Sequence, residues 1–335
     1  MTEAATLPHP HGWLVLDKPR GLGSTQAVAA VKRVLREAGY GKVKIGHGGT
    51  LDPLAEGVLP IALGEATKLA GRMLDARKTY AFTIAFGEET DTLDLEGQVV
   101  ATSERRPPLA AVAAICEHFT GEIEQVPPAY SALKVDGKRA YDLARAGEDV
   151  ELESRRVTIH SLELEGHGDL PPLESSFATV SGRLDPFFVP EAPLEIAESV
   201  TLVASVSKGT YIRSLARDIA HALGTVGHVA YLRRTEAGPF SEEQAISLDI
   251  LEEIGNGARL EDHLLPLEAG LDGIPALTLD PESAQAARQG RVLSGMLEPD
   301  GLYLATAGKV PVALMDLKGG TAKVVRGFNL TDTAE

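Results

Sequence analysis

The chain predicts an α+β protein. Segments with a strand period and segments with a helical period are interspersed at irregular spacing through most of its 335 residues. Tyr80 to Phe86 alternates cleanly enough to define a strand. Past the acidic stretch of residues 241–272, the pattern turns to short alternating runs that read as a small, mostly-β unit. The length suffices for one large domain and one small one.

Each element has a local reason. Trp13 to Leu16 is a continuous apolar run that suits a buried strand. Ser24 or Thr25 can cap a helix in which Val28, Val31 and Leu35 share one face and Lys32, Arg33 and Arg36 the other, with Gly39 and Gly41 ending it. In the strand at 80–86, Tyr80, Phe82, Ile84 and Phe86 point to one side. Pro107 and Pro108 open a helix carrying Leu109, Val112, Ile115 and Phe119, and Gly121 stops it. Cys116 falls at helical spacing with Val112 and Phe119 and reads as a small buried hydrophobe. Thr201 to Val206 reads as a strand. After the Lys208-Gly209 turn, Ile212, Leu215, Ile219 and Leu223 mark a helix closed by Gly224. Residues 164–198, with many prolines, glycines and acids, read as a surface excursion or added hairpin. Leu277-Thr278-Leu279, Ala284 to Gly290, and alternating segments from Leu302 to Val325 make up the small unit. The expected division is therefore 1–272 and 273–335.

Composition excludes several classes. No apolar run approaches the roughly 18 residues that a membrane-crossing helix needs. Met1 to His11 lacks the basic and apolar regions of a signal peptide, so a cytoplasmic location is expected. A single cysteine admits no internal disulfide or thiolate cluster, and the nine histidines show no metal-ligand spacing. No metal is expected. The net charge of −16 argues at first against a nucleic-acid partner, but its distribution reverses that reading. Residues 161–200 hold eight acids and one base, and residues 241–283 hold eleven acids and one base. Residues 13–48 hold seven bases against Asp17 and Glu37, and residues 204–234 five against Asp218 alone. Two basic clusters suit a groove that follows phosphates.

The chemistry concentrates at Gly46-His47-Gly48-Gly49-Thr50-Leu51-Asp52-Pro53-Leu54-Ala55-Glu56-Gly57-Val58-Leu59-Pro60. Glycines permit tight turns and close approach of a ligand, and Asp52 is the acid in the middle of the loop. Asp-Pro is equally the ordinary start of a helix, with Asp as cap and Pro in the first turn. The loop lacks the Gly-x-x-x-x-Gly-Lys-Ser/Thr form of a triphosphate cradle.

Three further stretches accompany it: Gly12-Trp13-Leu14-Val15-Leu16-Asp17-Lys18-Pro19, Gln125-Val126-Pro127-Pro128-Ala129-Tyr130-Ser131-Ala132-Leu133-Lys134, and Ser207-Lys208-Gly209-Thr210-Tyr211-Ile212-Arg213. Together the four resemble, in order, the signature blocks of the bacterial tRNA pseudouridine-55 synthases, the TruB family. The resemblance implies a pseudouridine-synthase-type mixed, largely antiparallel sheet with flanking helices. By position and pattern it also implies a PUA-like RNA-binding module at 273–335.

It further implies that uridine 55 in the T-arm loop of tRNA is isomerised without a cofactor, and without a guide RNA, by a monomer. Asp52 then takes the role of catalytic aspartate, Arg213 its partner, and Tyr80 the ring that stacks on the extruded uracil. His47 enters the space vacated in the RNA loop, Leu232 packs on the base, and Lys18 positions or covers the site. Tyr211, Tyr130, Lys134 and Arg145 are assigned to the RNA, together with Ser131 and Tyr141. Asp94, in Thr90-Asp91-Thr92-Leu93-Asp94, follows a family pattern with a role that reads as structural. Gly48 replaces a common Thr, and Gly23 a common Ser or Thr. Two rival readings remain at this point. One is an RNA-binding or tRNA-folding protein with a vestigial site. The other is a carboxylate glycosidase, with Asp94 as the second acid.

Overall fold

The computed structural model describes residues 7–131, 133–135, 137–148, 150, 152–167 and 195–330. Most of the expected excursion at 164–198 lies outside the described residues. The chain forms an α+β structure whose contacts group into two compact units. One comprises residues 1–51, 58–74 and 237–335, the other residues 52–57 and 75–236.

In the first unit the apolar run at 13–16 becomes the strand Gly12–Lys18, buried almost throughout. Trp13 is fully buried; its indole donates to the Leu267 carbonyl at 3.0 Å, and Gly270 leaves no room for a Cβ beside the ring. The helix Ser24–Glu37 buries Val28, Val31 and Leu35, as its period requires. Its cap differs from expectation. Gly23 is the N-cap residue, and its N–H is met by the Gln26 side chain at 2.8 Å. The Ser24 hydroxyl is engaged elsewhere, on Leu51. Residues 276–327 build a separate five-stranded sheet, ordered 276–278, 301–307, 310–318, 321–327, 293–294. Its apolar face and the helix Pro281–Arg288 enclose a core of Leu277, Ala284, Ala287, Tyr303, Val312 and Met315. Asp280 caps that helix, accepting from Glu282 and Ser283 N–H at 2.9 Å each.

In the second unit the strands run in the order 227–237, 78–86, 199–206, 155–167, 121–125. The last four pair antiparallel. Arg233 and Arg234 also pair in parallel with Glu56 and Gly57, so the sheet is mixed. Phe82 and Ile84 are fully buried at its centre. The helix Leu109–Phe119 buries Val112 and Cys116, whose thiol is pushed up to about 11 by burial. The helix Ile212–Ala222 ends as its sequence indicates. Gly224 takes φ +74, its N–H meets the His221 carbonyl at 2.9 Å, and Thr225 N–H meets Ala220 at 3.0 Å.

Candidate active site

The glycine loop delivers Asp52 through a series of tight contacts. Gly48 lies so near Met73 that a Cβ there would stand 2.7 Å from the methionine Cβ. The Ser24 hydroxyl accepts Leu51 N–H at 2.8 Å and donates to Leu51 C=O at 2.9 Å, pinning both polar groups of the residue before Asp52. Asp52-Pro53 does not start a helix. A single turn, closed by Ala55 N–H on the Asp52 carbonyl at 3.1 Å, leads into the strand Glu56–Leu63. Pairing with Arg233 and Arg234 draws the chain into extended form. Gly57, at φ +97, fits where a Cβ would lie 2.3 Å from the Arg234 carbonyl.

Arg213 sits in the first turn of Ile212–Ala222, with its side chain 7% exposed. Its guanidinium reaches four acceptors. Nη2 meets Asp52 Oδ2 at 2.9 Å and the Tyr130 carbonyl at 3.0 Å. Nη1 meets the Thr92 carbonyl at 2.8 Å and Asp94 Oδ2 at 3.4 Å. The Asp52 side chain keeps 41% of its surface open, whereas Asp94 is buried. Asp94 Oδ1 is taken by the Thr92 hydroxyl at 2.6 Å and Glu96 N–H at 3.0 Å. Between Thr92 and Asp94, Leu93 adopts φ +63, the one non-glycine residue with positive φ among those described. That conformation costs about 1–2 kcal/mol, and the kink lets the Thr92 carbonyl and the Asp94 carboxylate converge on one nitrogen. Two carboxylates thus share one buried cation, and the open one faces a small pocket of about 10 Å³ lined also by Leu54, Tyr231 and Leu232. Tyr231 is held by its hydroxyl on Glu56 at 2.9 Å.

The structure joins Asp52, Arg213 and Leu232 at this pocket. Tyr80 lies half-buried in the sheet of the same unit, opposite Ala204 and outside the pocket lining. Two residues before it, Lys78 is buried; it donates to the Ala76 carbonyl at 2.7 Å, and burial and the nearby Arg234 push its ammonium down to about 8. Tyr130 donates its hydroxyl to Asp91 at 3.3 Å and sets its ring against Tyr141 at 5.9 Å. Burial and Asp91 raise its pKa. The Tyr211 ring lies beneath the Arg155 guanidinium, 4.7 Å away. Lys134 is exposed on the short strand Lys134–Val135, and Arg145 lies 5.2 Å from the Tyr141 ring centre. Ser131 is buried, and among the described residues its hydroxyl finds no partner. Lys18 and His47 belong to the other unit. Lys18 is buried, its ammonium on the Pro19 and Leu22 carbonyls at 3.0 and 2.7 Å. His47 pairs in register with Ile61.

Sequence reasoning did not foresee that Asp94 shares the Arg213 guanidinium, or that the Thr92 and Tyr130 carbonyls complete its ligation. Asp94 carried a signal as a charged residue in a patterned loop; backbone carbonyls carry none. Among the described residues no helix is long and apolar enough to cross a membrane.

Comparison with known proteins gives the family. Residues 32–185 match the model for the N-terminal domain of the TruB family of pseudouridylate synthases, and residues 213–272 that for the tRNA pseudouridylate synthase B C-terminal domain. The tRNA pseudouridine synthase B of Novosphingobium aromaticivorans is 65% identical over 324 residues, covering 97% of this chain and 99% of that protein. Its counterpart in Zymomonas mobilis is 54% identical over 319 residues, covering 95% and 96%. Among solved structures, a chain in the crystal structure of a Cbf5-Nop10-Gar1 complex matches with a TM-score of 0.64 at 25% identity, covering 97% of this chain and 92% of that one. The chain belongs to the TruB family of pseudouridylate synthases, which isomerise uridine to pseudouridine in tRNA.

Proposed function

We propose that this protein acts alone, as a monomer, on uridine 55 in the T-arm loop of tRNA, with Asp52 as its catalytic carboxylate. One observation carries the reading: a half-open carboxylate held at 2.9 Å by a buried guanidinium. The reaction breaks the N1–C1′ bond, turns the base and joins C5 to C1′; the C5 proton leaves and N1 regains one. Product and substrate have the same formula, so no redox partner is consumed. Asp52 serves as nucleophile, on the ring or at C1′, or as base toward a sugar proton. Arg213 fixes the direction of its free oxygen.

A loop uridine reaches Asp52 only when flipped from its stack, at a cost of about a few kcal/mol. Stacking on Tyr80, worth roughly 1–3 kcal/mol, offsets much of that. Leu232 packs on the base, and His47 fills the gap it leaves in the RNA. Lys18 positions or covers the site. Tyr130, Lys134, Arg145 and Tyr211 hold the arm, and residues 273–335 act as an RNA-binding module. The pocket has room for about one water, so uracil enters as the lining side chains give way. Asp94 is a poor second acid for a glycosidase, because both its oxygens are engaged.

The test is to incubate Asp52→Asn and wild type with unmodified tRNA and to map pseudouridine. The variant is expected to keep RNA affinity and make no product. Equal product from both would refute the assignment, and release of free uracil would point to a glycosidase.

A further inference from the structure

Helix Ile212–Ala222 presents Arg213 from its first turn, where helices fray, yet its N-cap residue is Tyr211, with no side-chain cap bond. Tyrosine supplies none of the short oxygen acceptors that ordinarily close a helix start. The missing cap comes from a distant strand. At the end of Gly121–Gln125, the Gln125 amide accepts Tyr211 N–H on Oε1 at 2.8 Å and donates Nε2–H to the Tyr211 carbonyl at 3.1 Å. Gln125 is 1% exposed, and both bonds are partly shielded from solvent. The same carbonyl also takes Leu215 N–H at 3.0 Å, so Gln125 grips both backbone polar groups of the residue on which the first turn is built.

The segment after Gln125 extends the grip. The Val126 carbonyl accepts the Ser214 hydroxyl at 2.8 Å and Arg217 Nη2 at 3.2 Å. Pro127 and Pro128 then stiffen the chain up to Tyr130, whose carbonyl meets Arg213 itself at 3.0 Å. A slip of the helix start by one residue would swing Arg213 through about 100° and remove it from Asp52.

We propose that Gln125 is a positioning residue for the reaction, capping the Arg213 helix from outside so that the guanidinium stays on Asp52. The proposal rests on the function given above. It assigns Gln125 no contact with RNA.

The test is Gln125→Met, which keeps the size and removes both hydrogen bonds, with Gln125→Glu as a second variant that keeps the acceptor and loses the donor. Single-turnover pseudouridine formation at saturating enzyme is expected to fall by about 10-fold or more in Gln125→Met and less in Gln125→Glu. The Kd for unmodified tRNA should stay within about 3-fold in both, since the Gln125 side chain is itself buried and the Tyr211 ring rests on Arg155 independently of it. In an Arg213→Lys background Gln125→Met should change the rate little, because the two act through one group. Amide hydrogen exchange over residues 212–216 of the free protein should quicken in Gln125→Met. Wild-type rate in that variant, or a loss that multiplies in full on Arg213→Lys, overturns the proposal, as does unchanged exchange. A wild-type enzyme that forms no pseudouridine would sink the functional reading, while exchange would still decide the cap.

Discussion

Replacing Arg213 by lysine keeps the positive charge and removes the flat fork. Two guanidinium nitrogens now serve four acceptors at 2.8, 2.9, 3.0 and 3.4 Å. An ammonium offers three donors from a single atom and cannot reach both sides of that set. One buried carbonyl, Thr92 or Tyr130, then loses its partner, at about 1–3 kcal/mol, and a charge-assisted bond is weakened besides. A total near 3 kcal/mol of lost stability is expected, read from urea unfolding as a lower midpoint at unchanged slope. Asp52, with its side chain 41% exposed, is free to turn once Nη2 no longer holds it. A displacement of about 1 Å at a reacting group costs on the order of 100-fold in rate, so single-turnover product formation should fall by about that factor. Affinity for tRNA should not change, because a side chain 7% exposed does not reach phosphate. A variant that turns over at the wild-type rate when saturated, but binds tRNA ten-fold or more weakly, would show that Arg213 grips RNA and does not orient Asp52.

Two further outcomes follow from the packing. Lys78 titrates near 8 when folded, against 10.5 for an unperturbed lysine. Between these values the unfolded chain holds a proton that the native one has released, so stability rises with pH across that window and is lost as pH falls through 8, by at most about 3 kcal/mol. Lys78→Met should abolish that rise, and parallel stability-against-pH curves for variant and wild type would exclude it. Gly48→Thr forces a Cβ to within 2.7 Å of Met73 Cβ and should destabilise by about 1–3 kcal/mol. Adding Met73→Gly, which removes that Cβ, should recover part of that loss in thermal unfolding, as a coupling between neighbours; strictly additive losses would show that residue 73 is not the obstacle.

The periodic elements were legible because their causes are local. The helix at 212–222 shows its apolar face in Ile212, Leu215 and Ile219 and its end in Gly224, and all are where the pattern puts them. The strand expected at 80–86 is found, beginning two residues earlier at Lys78, and Cys116 is buried as expected. Local rules failed where a distant group made a better offer. Ser24 is a good helix cap by type, but its hydroxyl satisfies two backbone groups of Leu51, and Gly23 with Gln26 closes the helix instead. Asp52-Pro53 has the form of a helix start, but pairing of Glu56 and Gly57 with Arg233 and Arg234 pulls the chain straight after one turn.

From the order of residues alone came the α+β class and the position of the glycine loop, since side-chain type and spacing are written in the chain; Asp52 and Arg213 became candidates through the resemblance of the four sequence blocks to the TruB family. How Arg213 is held was not written there. Its ligands lie 161, 119, 121 and 83 residues away, two of them main-chain carbonyls that every residue possesses. Only folding, by bringing Asp52, Asp94, Thr92 and Tyr130 around one guanidinium in a place with little water, converts a common pair of charged residues into a directed carboxylate.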